Sequence, residues 1–388
     1  MGANELVLEE SEKAWLEELA GAWSVKLVFR KDLGADMFAR ITISSDETAW
    51  VEMLESFDPE AYYRQWGNRE IMPAELFRFI LLHEIAHLEL EHHKQGVPKG
   101  VRNRADWNEA VKKRESETDR WAKERLRNPW PREGPRGRCL IGCSGWSYDS
   151  WKGTYYPKDL KSGEWLSYYS GYSGDFPTVE INMSFYRLPG EKLLRSWAKK
   201  VPLRFVFAAK GSRRITHYRR LKNCGDEIRR FFRRTALLPQ LGCFLWQVPP
   251  SLVFDSALLE DFCRLLPAHR RNAVEFRHSS WWDSLDETAR ILSRHRVAFV
   301  GVSRRGLPAE APVTAEFSYF RFHGLGDSPY QWDYSREELA GWAEHIGDLL
   351  ERGLDIYAYF NNDADARAVK NARDLNGMVS QGENQRGS

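Results

Sequence analysis

From residue 139 onward, short apolar runs alternate with amphipathic stretches, and that rhythm sets the architecture of most of the chain. Runs at 140–144, 179–184, 205–210, 243–248, 273–278, 297–303, 319–324 and 356–361 have the length of buried strands. Helical periodicity fills 191–200, 226–237, 256–266, 285–295, 336–351 and 364–375 between them. Eight strands joined by helices in roughly 250 residues predict a TIM-type (β/α)8 barrel over 139–376. No G-x-G-x-x-G follows the first strand, so a dinucleotide-binding doubly wound sheet is the weaker alternative.

The first 126 residues follow a different pattern. Apolar and polar residues alternate over 23–30 and 38–44 as they do in strands. Leu76, Phe77, Ile80, Leu81, Leu88 and Leu90 then give a helical stripe, with Pro73 suited to its first turn and Gly96 with Pro98 to its end. This mixture predicts a separate α+β domain over 1–126. Between the two, 127–138 breaks both periodicities with proline, glycine and charge and is predicted to be a linker; the polar tail 377–388 is predicted to be disordered.

The helical stripe carries His83-Glu84-Ile85-Ala86-His87. HExxH on a helix sets two imidazoles one turn apart on one face, the spacing of a zinc-chelating pair. Downstream, Glu115 and Asp119 stand four apart on a predicted helix and project from one face, with Glu117 pointing elsewhere. Glu115 can complete a His-His-Glu set. Asp119 can fix the tautomer of a ligating histidine, and Glu84 can take the proton of the attacking water as general base. Two core histidines beside a solvated charged helix would give the same local pattern; the pairing of both motifs favours Zn2+.

HEIAHLELEHH followed by ESETDRWA resembles the ImmA/IrrE family of gluzincin-type metallopeptidases over roughly residues 20–126. The resemblance implies a zincin-like fold, with His83, His87 and Glu115 as zinc ligands, Glu84 as base and Asp119 behind them. It also implies an intracellular protease that cleaves a regulatory protein. No helix-turn-helix accompanies the motif here. A strand edge beside the zinc helix could hold an extended peptide substrate by main-chain pairing.

Period-two alternation in the barrel strands turns polar residues inward. Val179 and Ile181 face outward, which directs Glu180 and Asn182 into the barrel; Glu275 with Arg277, and Arg321 with His323, follow by the same argument, and Lys210, Gln247 and Asn361 end their strands in the same sense. Such residues either close into an ion-pair plug or form a ligand site, and the C-terminal strand ends are where barrel ligands bind. Glu180, Glu275, His278, His323 and Asp363 could supply some metal ligands, but Arg277 and Arg321 among them oppose a bound cation. The loop 211–222 adds Arg213, Arg214, His217, Arg219, Arg220 and Lys222, a candidate grip for phosphates or nucleic acid, with Tyr218, Trp146, Trp281 or Trp282 available to stack on bases. GCSGWSYDSWKGTYYP, TVEINMSFYRLP, FAAKGSRRITHYRRL, VEFRHSSWW and YAYFNNDADARAVKNA resemble successive blocks of the YecE-like family (domain of unknown function 72), which implies a TIM barrel and no particular reaction.

Composition adds little to this. The 388 residues are 42% hydrophobic and 29% charged, a globular balance, and the formal net charge of +2 argues neither for nor against nucleic acid for the chain as a whole. No apolar run is long enough to span a bilayer and no signal-peptide pattern opens the chain, so a cytoplasmic location is expected. Five cysteines without CxxC spacing are expected to be reduced. The expectation is a zinc peptidase joined to a barrel that binds an anionic ligand or nucleic acid; the alternative is a nucleic-acid or phosphate-binding barrel carrying a catalytically degenerate protease-like domain.

Overall fold

Nine of the fourteen residues of the helix Leu76–Glu89 are buried, so it runs through an interior and not along a surface. The computed structural model describes residues 6–34, 37–44, 48–90, 92, 104–126, 135–172, 176–308, 311–326 and 331–386. Contacts divide the chain into two units, Met1–Arg132 and Glu133–Ser388. The expected linker falls mostly outside the described residues, as do Gly96 and Pro98.

Unit one is built from strands β1 (Leu6–Val7), β2 (Val25–Arg30), β3 (Ala39–Ile43), β4 (Ala49–Leu54) and β5 (Ser56–Phe57), with helices α1 (Glu10–Ala22), α2 (Pro59–Trp66), α3 (Leu76–Glu89) and α4 (Arg104–Arg125). Asp58 caps α2 by accepting the Glu60 N–H at 3.0 Å, and Pro59 opens its first turn. Leu76, Phe79, Leu81, Leu82 and Ile85 of α3 are fully enclosed, each contributing about 1.5–3 kcal/mol of apolar burial. The main sheet has the order β2-β4-β3, with β2 parallel and β3 antiparallel to the central strand. Strand β3 is therefore an edge. Phe38 O accepts from Leu54 N–H and Thr48 O from Ser44 N–H, both at 2.9 Å. By the antiparallel alternation, the backbone groups of Ala39, Ile41 and Ile43 then point off the sheet.

Unit two closes eight parallel strands into a barrel: β6 (Cys139–Cys143), β7 (Thr178–Ile181), β8 (Val206–Lys210), β9 (Leu241–Gln247), β10 (Arg271–Glu275), β11 (Val297–Arg304), β12 (Phe317–Gly324) and β13 (Asp355–Phe360), with β13 pairing back onto β6. Its interior packs Leu140, Ala208, Leu245, Ala273, Val300, Tyr319 and Tyr359 against one another. Lys210, Gln247, Glu275, Arg321 and Asn361 share the residue parity of these inward positions on their strands, as alternation requires, and Glu180 joins them through its bonds to Tyr319 and Arg321. At the lower end Arg271 pairs with Asp355 at 2.7 Å, both buried. All five cysteines are free.

The tail departs from the expectation of disorder. The last helix runs Arg367–Arg386, and Val379 is buried, which gives this polar segment an apolar anchor that its composition conceals. The helix expected from 364 begins only at Arg367, because Asp365 and Ala366 take positive φ values of 52° and 58°. Among the described residues no helix is long and apolar enough to cross a membrane.

Candidate metal centre and barrel mouth

His83 and His87, one turn apart on α3, meet Glu115 of α4. His83 Nε2 lies 3.2 Å from Glu115 Oε2 and His87 Nε2 lies 3.7 Å from Oε1. The other ring nitrogens are occupied. His83 Nδ1 is 2.9 Å from Asp119 Oδ1, and Asp119 Oδ2 accepts from Asn68 Nδ2 at 3.1 Å. His87 Nδ1 is 2.9 Å from Nδ1 of the buried His92. Both imidazoles therefore present Nε2 to one carboxylate. Ligand atoms of His83, His87 and Glu115 lie within 4.8 Å of one another, the one such group among the described residues. Tetrahedral zinc with bonds of about 2.0–2.1 Å holds its ligands about 3.3–3.4 Å apart. Two imidazoles and a carboxylate at this spacing fit the ion.

Charge in the cluster follows from these contacts. Burial opposes a proton on His83, but the hydrogen bonds to Asp119 and Glu115 outweigh it and push its pKa up to about 9. Burial and the neighbouring His83 drive His87 down to about 4. The bond to His83 lowers the Glu115 carboxyl, whereas Asp119 is lowered by its bonds to His83 and Asn68 against the cost of burial. Burial raises Glu84, the shift expected of a carboxyl placed to exchange protons.

Glu84 lines a cavity of about 260 Å³ with His83, His87, Glu115, Tyr62, Trp66 and Phe38. Ile41 N–H, from the outer edge of β3, reaches the Glu84 carboxyl. Met37 and Trp66, 37% and 45% exposed, leave the cavity an open apolar rim. Sequence reasoning missed Asn68 and His92. Asn68 owes its place to a turn with φ 39°, and His92 follows the end of α3, so neither lies in a periodic element. Burial lowers the His92 pKa, and Glu117, expected to point away from the cluster, lies close enough to oppose that shift in part.

In the barrel, three residues expected to hold a ligand bind one another instead. Arg321 donates to Glu180 Oε1 at 2.6 Å and Oε2 at 3.0 Å, and to Glu275 Oε2 at 2.8 Å, with all three side chains 0–1% exposed. Ser144 and Tyr319 hydroxyls, each at 2.7 Å, complete the Glu180 carboxylate. This is a floor and not a binding surface. Arg277 pairs with Glu275 and lies 2.9 Å from His323 Nε2, and Asn361 Nδ2 is 3.3 Å from His323 Nδ1. Gln247 sits half-buried in register with Glu275.

Above this floor a cavity of about 540 Å³ is lined by Asn182, Lys210 and Asn361, as expected, and by Trp146, Tyr148, Tyr186, Trp197 and Asp363. Gly145 at φ 107° turns the chain after β6 so that Tyr148 folds back over it; a Cβ there would meet the Tyr148 hydroxyl at 2.7 Å. Burial brings Lys210 down to about 8 and Asp363 up to about 7. Half of the expected phosphate loop is committed elsewhere. Arg219 pairs with Glu227 at 2.7 Å and Arg220 binds Ser251 at 2.8 Å, while Arg214 is exposed and Arg213 lies over the Tyr186 and Tyr218 rings. His217 Nδ1 bonds the Thr216 hydroxyl at 2.8 Å. Trp281 cannot stack on a base: it is fully buried and its N–H donates to Leu252 O.

The DUF72 family, described as protein of unknown function, matches residues 140–387, the barrel unit. The chain belongs to the DUF72 family. A DUF72 family protein of known structure from Thermotoga maritima MSB8 is 32% identical, with a TM-score of 0.57 over 63% of this chain and 99% of its own. The UPF0759 protein YunF of Bacillus subtilis (strain 168) is 25% identical over 267 residues, 61% of this chain and 92% of its own length. A DUF72 protein from Enterococcus faecalis V583, 20% identical with a TM-score of 0.54, covers 62% of this chain and 95% of its own and shares the fold. The family match begins at residue 140, so the metal-centre residues of unit one lie before it.

Proposed function

We propose that unit one is a zinc-dependent peptidase of the gluzincin type, akin to ImmA/IrrE, and that the DUF72 barrel fused to it takes an anionic ligand at its mouth. The observation that carries the first half is the convergence of two Nε2 atoms on Glu115 while Asp119 and His92 hold both Nδ1 atoms. Zinc held by His83, His87 and Glu115 would supply Lewis acidity and bring the pKa of a ligated water towards neutrality. Glu84, raised by burial, is the group that would take up a proton at its carboxylate and return it to a leaving amine. The outward backbone groups of Ala39 and Ile43 on β3, the Ile41 N–H being taken by Glu84, hold an extended peptide beside the cavity, and Tyr62, Trp66 and Met37 receive an apolar side chain. The substrate class that follows from the ImmA/IrrE likeness is an intracellular regulatory protein.

The second half rests on Lys210, which lines the mouth cavity, has no carboxylate within ion-pair distance among the described residues, and lies 4.5 Å from the Phe185 ring centroid. Zinc content of the purified chain tests the first half, with one equivalent expected in wild type and little in His83→Ala. Metal-free wild type overturns it.

A further inference from the structure

The mouth cavity is lined by one cationic and one carboxylic side chain, Lys210 and Asp363, and by the rings of Trp146, Tyr148, Tyr186 and Trp197. On one side Lys210 lines the cavity over the Phe185 ring, against which His217 also packs at 5.0 Å, and Arg213 lies outside the lining over the ring of Tyr186, which does line it. Neither Lys210 nor Arg213 has a carboxylate partner among the described residues, and each rests instead against aromatic rings. The carboxylates beneath them, Glu180 and Glu275, are bonded to Arg321 and Arg277. This end therefore carries positive charge that the fold leaves uncompensated. At the other end, Asp363 Oδ1 is enclosed without a hydrogen-bond partner. The Tyr148 hydroxyl beside it donates to Ser144 O, and its proximity to the Asp363 carboxyl offsets only part of the upward shift that burial imposes.

We propose that this cavity is a two-ended site for a small phosphomonoester bearing hydroxyl groups, its phosphate at Lys210, Arg213 and His217 and its hydroxyls at Asp363. The inference rests on the anionic-ligand reading of the barrel and names the ligand class. A phosphate dianion answers two unpaired cations. A hydroxyl donates to the orphaned Oδ1, whereas a second acidic group would meet the Asp363 carboxyl and the enclosed surface around it. The volume of about 540 Å³ suits a sugar phosphate. Tyr186, 64% exposed and beneath Arg213, offers a ring face to the ligand's carbon skeleton at the entrance.

Calorimetric titration of the full chain with inorganic phosphate, ribose 5-phosphate and a single-stranded oligonucleotide tests this, with Arg213→Gln and Asp363→Ala beside wild type. Ribose 5-phosphate is expected to bind, to compete with inorganic phosphate, and to lose about tenfold in affinity in either variant. Inorganic phosphate is expected to weaken in Arg213→Gln and to be unchanged in Asp363→Ala. If inorganic phosphate does not bind, the anionic-ligand reading itself falls. If it binds but ribose 5-phosphate binds no tighter, or Asp363→Ala weakens both alike, the two-ended site falls and the anion site stands. Oligonucleotide binding tighter than ribose 5-phosphate, with a steep loss at higher salt, assigns the cations to a polymer and overturns the proposal. Arg213 is at the rim of the barrel, so its replacement leaves the core intact and the test interpretable.

Discussion

Asp119 Oδ1 sits 2.9 Å from His83 Nδ1, and this contact turns the opposite nitrogen of the ring towards Glu115. Asn68 holds the other Asp119 oxygen, so the carboxylate is fixed at both ends. Asp119→Ala is expected to leave the three ligands in place yet weaken zinc affinity about 10–100-fold, because His83 is then free to rotate and change tautomer. Competition against a zinc-sensitive chelator measures this; unchanged affinity would detach Asp119 from the centre.

Glu115 is expected to matter more than its neighbours on the same helix. Glu115→Gln removes a ligand charge and should cost most of the bound zinc, whereas Glu109→Gln, exposed on α4, should cost none. Metal analysis of the two variants side by side decides it, and equal retention would reject Glu115 as a ligand.

Glu84→Gln preserves shape and is expected to retain zinc while losing at least about 100-fold in peptide hydrolysis, since proton transfer by a positioned carboxylate contributes about 10²–10⁴-fold. The assay needs a cleavable peptide, for which an unstructured library with apolar side chains suits the rim formed by Met37 and Trp66. Wild-type turnover in the variant would remove Glu84 from the mechanism.

The pairing of the candidate ligands was legible in the sequence because both halves of the cluster lie on helices. Spacing of four fixes a face, so His83 with His87 and Glu115 with Asp119 could be paired before any fold was known. His92 and Asn68 were not legible, since each is placed by a turn that no periodicity announces. The barrel was legible for a similar reason: period two assigned Glu180, Glu275 and Arg321 inward, and they are inward. What alternation cannot say is whether inward polar residues face a ligand or one another. Depth along the strand decides only part of it: Asn182, one pleat above Glu180, lines the cavity, whereas Arg277 and His323, one pleat above Glu275 and Arg321, still bond to each other and to Glu275. Asp363 follows β13 in a segment without periodicity, and only closure of the barrel brings it beside Tyr148.

The Arg321 network is expected to behave as structure. Arg321→Met leaves Glu180 and Glu275 buried without their shared cation and should cost about 3–5 kcal/mol in denaturant unfolding. Adding Glu180→Gln should recover part of that loss, because one stranded charge is removed. A ligand-site arginine would behave differently, with little loss of stability and a large loss of binding.

Asp363 is expected to impose a pH dependence on stability. Burial lifts its carboxyl from the ordinary 3.8 to about 7, so between those values the folded chain keeps a proton that the unfolded chain has released. Its contribution is fully present below about pH 4 and is lost as pH rises through about 7, where a charge must exist beside an enclosed surface. Asp363→Asn carries no such charge and should unfold at higher denaturant concentration than wild type at pH 8, with the gap closing towards pH 4. The sign distinguishes this residue from the paired carboxylates Glu180 and Glu275, whose depressed values make them stabilising at high pH and costly at low. Unfolding midpoints of both proteins at pH 4.5, 6 and 8 give the comparison, and a gap that widens on acidification would show that Asp363 is held ionised in the fold.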